Sequence, residues 1–265
     1  MKISRRRPSG RTRENFGEES GIRIAAMGDL HFGPGSLKTY APMFKAANDD
    51  ADVIVLCGDL TMHGLIEEVR GLTEAMGNAE IPIVSVLGNH DHEANNQEEI
   101  MDVLEESGIR VLERSSWVTS GQSVGFCGTK GFCGGFAGAR IAPFGERILK
   151  MFINETYKEA NKVNRALKSM KAHFKVVVYH YAPVRETCMG ERCEIIPFLG
   201  SSILADPVDT FKAGLVLHGH AHNGTEKGST LMGIPVRNVA LPVHGRHYVV
   251  YDTGSFQGSG QQGPK

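Results

Sequence analysis

Five short apolar runs in this 265-residue chain each stop at a residue able to hold a cation. Met27 leads through Gly28 to Asp29 and His31, and Cys57 leads through Gly58 to Asp59. Leu87 leads to Gly88, Asn89, His90 and Asp91. Tyr179 leads into His180, and Leu217 runs into His218, Gly219, His220 and His222. The donors are carboxylate, imidazole and amide oxygen, with no thiolate. That mixture suits Mn, Fe, Zn, Co or Ni better than a structural zinc knuckle. Burying so many polar groups together is costly unless an ion compensates. Two cations about 3.5–4 Å apart form the usual clamp for phosphate-ester hydrolysis, and one carboxylate can bridge them. Asp59, which has a strand end to itself, is the natural bridge. Glycine precedes Asp29, Asp59, Asn89 and His220, where a small residue lets the backbone turn sharply and leaves room beside a metal.

The elements behind these residues are legible as periodicity. Ile22–Met27, Asp52–Cys57, Ile81–Leu87, Lys175–Tyr179 and Gly214–Leu217 read as buried strands, short and rich in Val, Ile and Leu. Leu37, Tyr40, Ala41, Phe44 and Ala47 repeat at helical spacing behind a Ser36 cap. Leu65–Met76 and the stretch around Ile100–Leu104 repeat in the same way, and a longer amphipathic helix spans Glu146–Met170. Residues 108–132 read as short strands with turns, as do Pro235–Val239 and His247–Tyr251. Gly131–Gly145 reads as a loop near the site mouth or a plain connector. The class is α/β, and ligands of open α/β sheets bind beyond the carboxyl ends of the strands. Five parallel neighbouring strands would bring the nominated groups to one crevice.

In this order, Asp29-x-His31, Gly58-Asp59, Gly88-Asn89-His90-Asp91, His180 and Gly219-His220-x-His222 resemble the calcineurin-like metallophosphoesterase signature. The resemblance runs from about Ile22 to Asp252. It implies a two-sheet β-sandwich flanked by helices, with a binuclear centre at the strand ends. Asp29, His31, Asp59 and His222 would hold one metal, and Asp59, Asn89, His180 and His220 the other. The two ions are divalent or of mixed valence, manganese and iron among the candidates. His90 would not ligate but would act on the substrate. A metal-bridging hydroxide would attack phosphorus in line, and His90 would steady the phosphoryl group or protonate the leaving alkoxide.

The second block departs from the protein Ser/Thr phosphatases, in which an Asp-Arg pair follows. Here Met62 and His63 stand there, so the Asp partner of the catalytic His and the phosphate-binding Arg are both absent. That argues for a small phosphodiester or nucleotide-like ester over a phosphoprotein. His63 reads as a phosphate contact or an exposed loop residue, and Tyr181–Ser202 as a substrate loop or a structural crossover. His92, His173, His244 and His247 read as surface or packing residues. His218 reads as a partner to a ligand, and Asp91 as an orienting group or a solvent-facing one.

Composition bounds the rest. Hydrophobic residues make up 41%, charged residues 22%, and the formal net charge is −1. That is globular, and it argues for neither nucleic acid nor membrane as a partner. Residues 1–20 carry six basic residues against three acidic ones, net +3, and read as a disordered basic arm. Residues 21–253 form the expected catalytic domain, and 254–265 a flexible tail. Five cysteines without metal-type spacing read as reduced thiols. The start lacks the apolar stretch of a secretory signal, and no run is long enough to span a bilayer, so the expected location is cytoplasmic. A non-catalytic scaffold of the same fold should have lost ligands or His90, and all are present. A nuclease holding nucleic acid with its arm ranks lower, because the body lacks a basic stripe with interleaved aromatics. Spacing does not fix the oligomeric state.

Overall fold

The computed structural model describes residues 21–256 apart from Asn78 and Arg246. The basic arm and residues 257–265 of the expected tail lie outside the described residues. The start of that tail belongs to a 3₁₀ turn, Thr253–Phe256. Among the described residues eleven strands run in chain order: β1 Arg23–Met27, β2 Val53–Cys57, β3 Ile83–Val86, β4 Arg110–Val111, β5 Trp117–Val118, β6 Val124–Thr129, β7 Phe174–Tyr179, β8 Leu215–His218, β9 Lys227–Ser229, β10 Pro235–Asn238 and β11 Val249–Asp252. The longer helices are α1 Leu37–Asp50, α2 Ile66–Met76, α3 Gln97–Glu106 and α4 Arg147–Ser169.

The strands form two sheets, ordered β11-β1-β2-β3-β4 and β5-β6-β7-β8-β10-β9. The five site-bearing strands are therefore not neighbours in one sheet. Three stand in the first and two in the second, and the two-sheet form implied by the resemblance is the one observed. Alternation along each strand explains the layering. Ile24, Ala26, Val53, Val55, Val84 and Val86 face inward against Phe126, Val176, Val178, Leu215 and Leu217 of the other sheet. Their alternates Ala25, Met27, Ile54 and Leu56 face outward and are covered by Phe44, Val69, Leu72 and Ile100 from α1, α2 and α3. On the second sheet, Val177, Tyr179 and Val216 are covered by Ala160, Val163 and Leu167 of α4. Strands buried on both faces are continuous apolar runs, as parallel strands must be.

Within each sheet the site-bearing strands run parallel, β1 beside β2 and β2 beside β3, and β7 beside β8. Their carboxyl ends gather at one edge of the sandwich. Two local expectations fail for identifiable reasons. Pro82 shortens the third run, since it has no N–H to give, and β3 begins at Ile83. Ser36 does not cap α1. Its backbone is already helical, and its hydroxyl accepts the Gly33 N–H at 3.1 Å. The cysteines of the described chain are free thiols, with Cys193 exposed and the rest buried.

Glu113, just beyond β4, is a buried carboxyl outside the site. Its Oε1 accepts the Leu87 N–H at 2.8 Å, and its Oε2 is enclosed with no partner among the described residues. Burial pushes this carboxyl up to about 8. An unfolded glutamate ionises near 4.3. Between those values the folded state holds the extra proton, so stability falls as pH rises through the window and levels above it. The urea midpoint is expected to fall from pH 5 to pH 8, by the equivalent of a few kcal/mol at most. Glu113→Gln should flatten that fall; a wild-type slope in the variant would assign the effect elsewhere.

Candidate metal centre

The ligand-bearing loops are strained and tied to one another. Six non-glycine residues among those described have positive φ, and four are Asp29 (61°), His31 (44°), Asp59 (48°) and His220 (70°). Each such residue costs on the order of 1–3 kcal/mol, so the surroundings must hold it in place. The Asp29 N–H donates to the Gly58 carbonyl and the His31 N–H to the Asp59 carbonyl, both at 3.0 Å. The glycines leave room for the carboxylates. A Cβ on Gly88 would lie 2.1 Å from Asp59 Oδ1, and one on Gly219 would lie 2.3 Å from Asp29 Oδ2. Gly58, at φ 80°, would meet the His180 ring at 2.7 Å.

All eight nominated residues converge. Asp29, His31 and His222 bring donor atoms within 4.8 Å of one another, as do His31, Asp59 and His90, and Asp59, His180 and His220. His222 Nε2 lies 2.8 Å from Asp29 Oδ1, and His31 Nε2 lies 3.9 Å from Asp59 Oδ2. Asn89 joins through His180, whose Nε2 is 2.9 Å from Asn89 Oδ1 and 3.3 Å from Asp59 Oδ1. His180 Nδ1 is 2.9 Å from the Cys57 carbonyl, which can only accept, so Nδ1 carries the hydrogen. In the neutral ring Nε2 then turns a lone pair toward two oxygens. Acceptor facing acceptor in a buried place calls for a positive charge between them.

The electrostatics agree. Burial opposes a charge on His180, yet the Asp59 and Asp29 carboxylates raise its pKa to about 9. Asp59 is also buried, and His180 beside it holds its carboxyl well below the usual range. A proton at this point occupies the place a cation would take. Burial and the neighbouring His180 push His220 down to about 3, a neutral imidazole suited to coordination. The donor set, the glycine cradles and the opposed acceptors all fit divalent cations. Asp29, His31, Asp59 and His222 could hold one, and Asp59, Asn89, His180 and His220 a second.

His90 stands over this cluster, its ring 4.5 Å from that of His31. Its backbone N–H donates to Asp59 Oδ1 at 2.8 Å. Its Nδ1 is 2.7 Å from the Met62 carbonyl, so Nδ1 donates and Nε2 is left to give or take a proton. A main-chain carbonyl thus holds the ring. Glu93 lies 3.7 Å from His90 Nδ1 and 3.4 Å from His63 Nδ1. His63, about half exposed, stands beside the Glu93 carboxylate.

Asp91 does not face solvent. It is fully buried and accepts from the Thr61 N–H (2.8 Å), the Thr61 hydroxyl (2.6 Å), the Gly88 N–H (2.8 Å) and the Leu60 N–H (3.1 Å). It pins the loop carrying Asp59 to the loop carrying Asn89. His218 makes no hydrogen bond to a nominated side chain among the described residues: it is buried between the Gly219 carbonyl and the Thr187 hydroxyl, both at 2.8 Å. His244 Nε2 lies 2.7 Å from the Asn238 carbonyl. The stretch after His180 does border the site. Tyr181 lies 4.4 Å from the His220 ring, and the Phe198 backbone reaches that ring as well.

Two contributors escaped the sequence. Asn238 is fully buried, gives its amide to the Ala221 carbonyl at 2.8 Å, and so shapes the turn carrying His220 and His222. Nothing in its neighbourhood marks it. The Met62 carbonyl is invisible to side-chain reasoning. Tyr181 had a signal, its place directly after His180.

The family described as calcineurin-like phosphoesterase matches residues 22–224. A curated protein named a probable cyclic nucleotide phosphodiesterase, from Ruthia magnifica subsp. Calyptogena magnifica, is 24% identical over 221 residues, covering 80% of this chain and 82% of that one. Among solved structures, the phosphopantetheinyl hydrolase of Mycobacterium tuberculosis superposes with a TM-score of 0.65 at 13% identity, covering 91% of this chain and 98% of that one. The protein TT1561 of Thermus thermophilus gives a TM-score of 0.53 at 14% identity, covering 88% and 100%. At these identities the structural likenesses speak for the fold.

Proposed function

Because the chain belongs to the calcineurin-like phosphoesterase family, we propose that it hydrolyses a small or nucleotide-like phosphodiester at the edge where the five strand ends meet. The observation that carries this reading is His180 Nε2 set 2.9 Å from Asn89 Oδ1 and 3.3 Å from Asp59 Oδ1, three donor atoms converging on a point that a proton or a cation fills. Two divalent cations bound there would supply Lewis acidity and lower the pKa of a bound water toward about 7. The protein side is orientation and proton transfer. Asp59 belongs to both halves of the site and fixes their spacing. His222 is held by Asp29, which also accepts the His220 N–H through both oxygens at 3.0 Å. His90, fixed through Nδ1, offers Nε2 to the leaving oxygen. The diester preference is supported by the curated relative's printed activity and by the lack of a phosphate-clamping arginine after Asp59.

The test is elemental analysis of purified protein, followed by hydrolysis of a generic aryl phosphodiester and a panel of cyclic nucleotides and monoesters with each metal restored. Metal-free, inactive protein that still captures a partner would favour the scaffold reading. His90→Ala keeps the backbone N–H that Asp59 uses, so it should retain wild-type metal content. Turnover should fall by about a hundredfold or more, the usual worth of a positioned acid. Wild-type turnover with intact metals would remove His90 from the reaction.

A further inference from the structure

We propose that the first turns of α4, with the loop before them, dock this protein onto an anionic lipid surface. Ile148 and Met151 are 73% and 54% exposed, and Phe144, just ahead of the helix, is 80% exposed. Residues 148, 151, 155, 158 and 162 form one stripe at helical spacing. Farther along it stand Glu155, Lys158 and Lys162, the charged residues a solvated face should carry. The exception is confined to the beginning, where apolar side chains project from the polar face.

Arg140, Arg147 and Lys150 are exposed around them, against two exposed acids, Glu146 and Asp206. None of the three cations has a carboxylate within ion-pair distance among the described residues, although Arg140 is near enough to Asp206 to favour its charged form. Protruding apolar groups ringed by unpaired cations match an interfacial lipid contact, in which the apolar tips enter the acyl boundary and the cations meet the headgroups. The patch projects rather than forming a groove, so a second protein would need a matching pocket. A second copy would set like charges against like in a two-fold contact. That no helix among the described residues is long and apolar enough to cross a membrane bears on spanning alone.

A chain of ring contacts links α4 to the candidate centre. Phe152, the residue after Met151, meets Phe132 at 5.0 Å; Phe132 meets Tyr181 at 5.7 Å; Tyr181 meets His220 at 4.4 Å. Lipid binding stands apart from the hydrolytic reading, since vesicle binding and turnover of a soluble diester are separate readouts.

The experiment is flotation of the full-length protein with phosphatidylcholine vesicles, with and without phosphatidylglycerol. Binding is expected only with the anionic lipid. It should weaken at least about tenfold in Ile148→Asp/Met151→Asp, and also in Arg147→Ala/Lys150→Ala. Turnover of a soluble aryl diester should stay within about twofold in both, which also shows that they fold. The basic residues of the N-terminal arm are present in every variant, so unchanged binding would assign lipid contact to the arm and overturn the proposal. No binding by the wild type would also overturn it, as would equal binding to uncharged vesicles. A concentration-dependent dimer abolished by Ile148→Asp/Met151→Asp would make the patch a self-interface and reject the lipid role.

Discussion

An Asp59→Asn variant is expected to fold normally, bind less than the full complement of metal, and lose turnover by about a thousandfold or more. The substitution preserves shape. Asparagine tolerates the left-handed backbone that Asp59 adopts at φ 48°, so strain does not increase. Its side-chain oxygen can still accept the His90 N–H that Asp59 Oδ1 accepts at 2.8 Å. What changes is charge. Asp59 lies between His31 and His180, at 3.9 Å and 3.3 Å, and belongs to two of the three donor clusters. An amide cannot offer two anionic oxygens to two cations, and the imidazoles around it lose the charge that makes the site attractive to a cation. Thermal melting, metal content and aryl diester turnover of the two proteins check this. Full metal content with turnover within tenfold of wild type would show that Asp59 bridges nothing.

Gly88→Ala should be nearly as damaging through a different cause. The added methyl would sit 2.1 Å from Asp59 Oδ1 and 2.2 Å from the Asp59 backbone nitrogen. A flexible side chain could move aside, but here a main-chain atom of a strained loop stands in the way. Either the Asp59 loop or the Asn89 loop must shift. The Gly88 N–H donates to Asp91 at 2.8 Å, and the same carboxylate holds Leu60 and Thr61, so any shift also loosens the buried tie between the two loops. A cost of about 2–4 kcal/mol in unfolding free energy is expected, at the upper end of overpacking effects. Metal affinity should fall with it. Urea denaturation with and without added Mn²⁺ measures both. Wild-type stability and metal affinity would mean that the loops are not locked together as described.

The site was more legible in sequence than the fold that carries it. Asp29, Asp59, Asn89, His180 and His220 each interrupt or end a strongly apolar run, and a polar group at the end of a buried strand has few structural reasons to be there. The glycines before them pointed the same way, and the Cβ clashes at Gly88 and Gly219 give the physical reason. Strand partners are another matter. Val53–Cys57 and Phe174–Tyr179 are both strongly apolar and almost wholly buried, and nothing local says that one joins the first sheet and the other the second. That information lies in which faces interdigitate, a property of the assembled core. Asp91 could not be read as buried, because three of its donors come from Leu60 and Thr61, some thirty residues away. Ser36 has a capping residue's chemistry, but the turn at Gly33 competes for its hydroxyl and wins.

A crystal of Mn²⁺-loaded protein, measured for anomalous scattering at the manganese edge, tests the centre most directly. Two peaks about 3.5–4 Å apart should appear, one against Asp29, His31 and His222, the other against Asn89, His180 and His220, with Asp59 touching both. A single peak, or peaks remote from Asp59, would contradict the two-cation site.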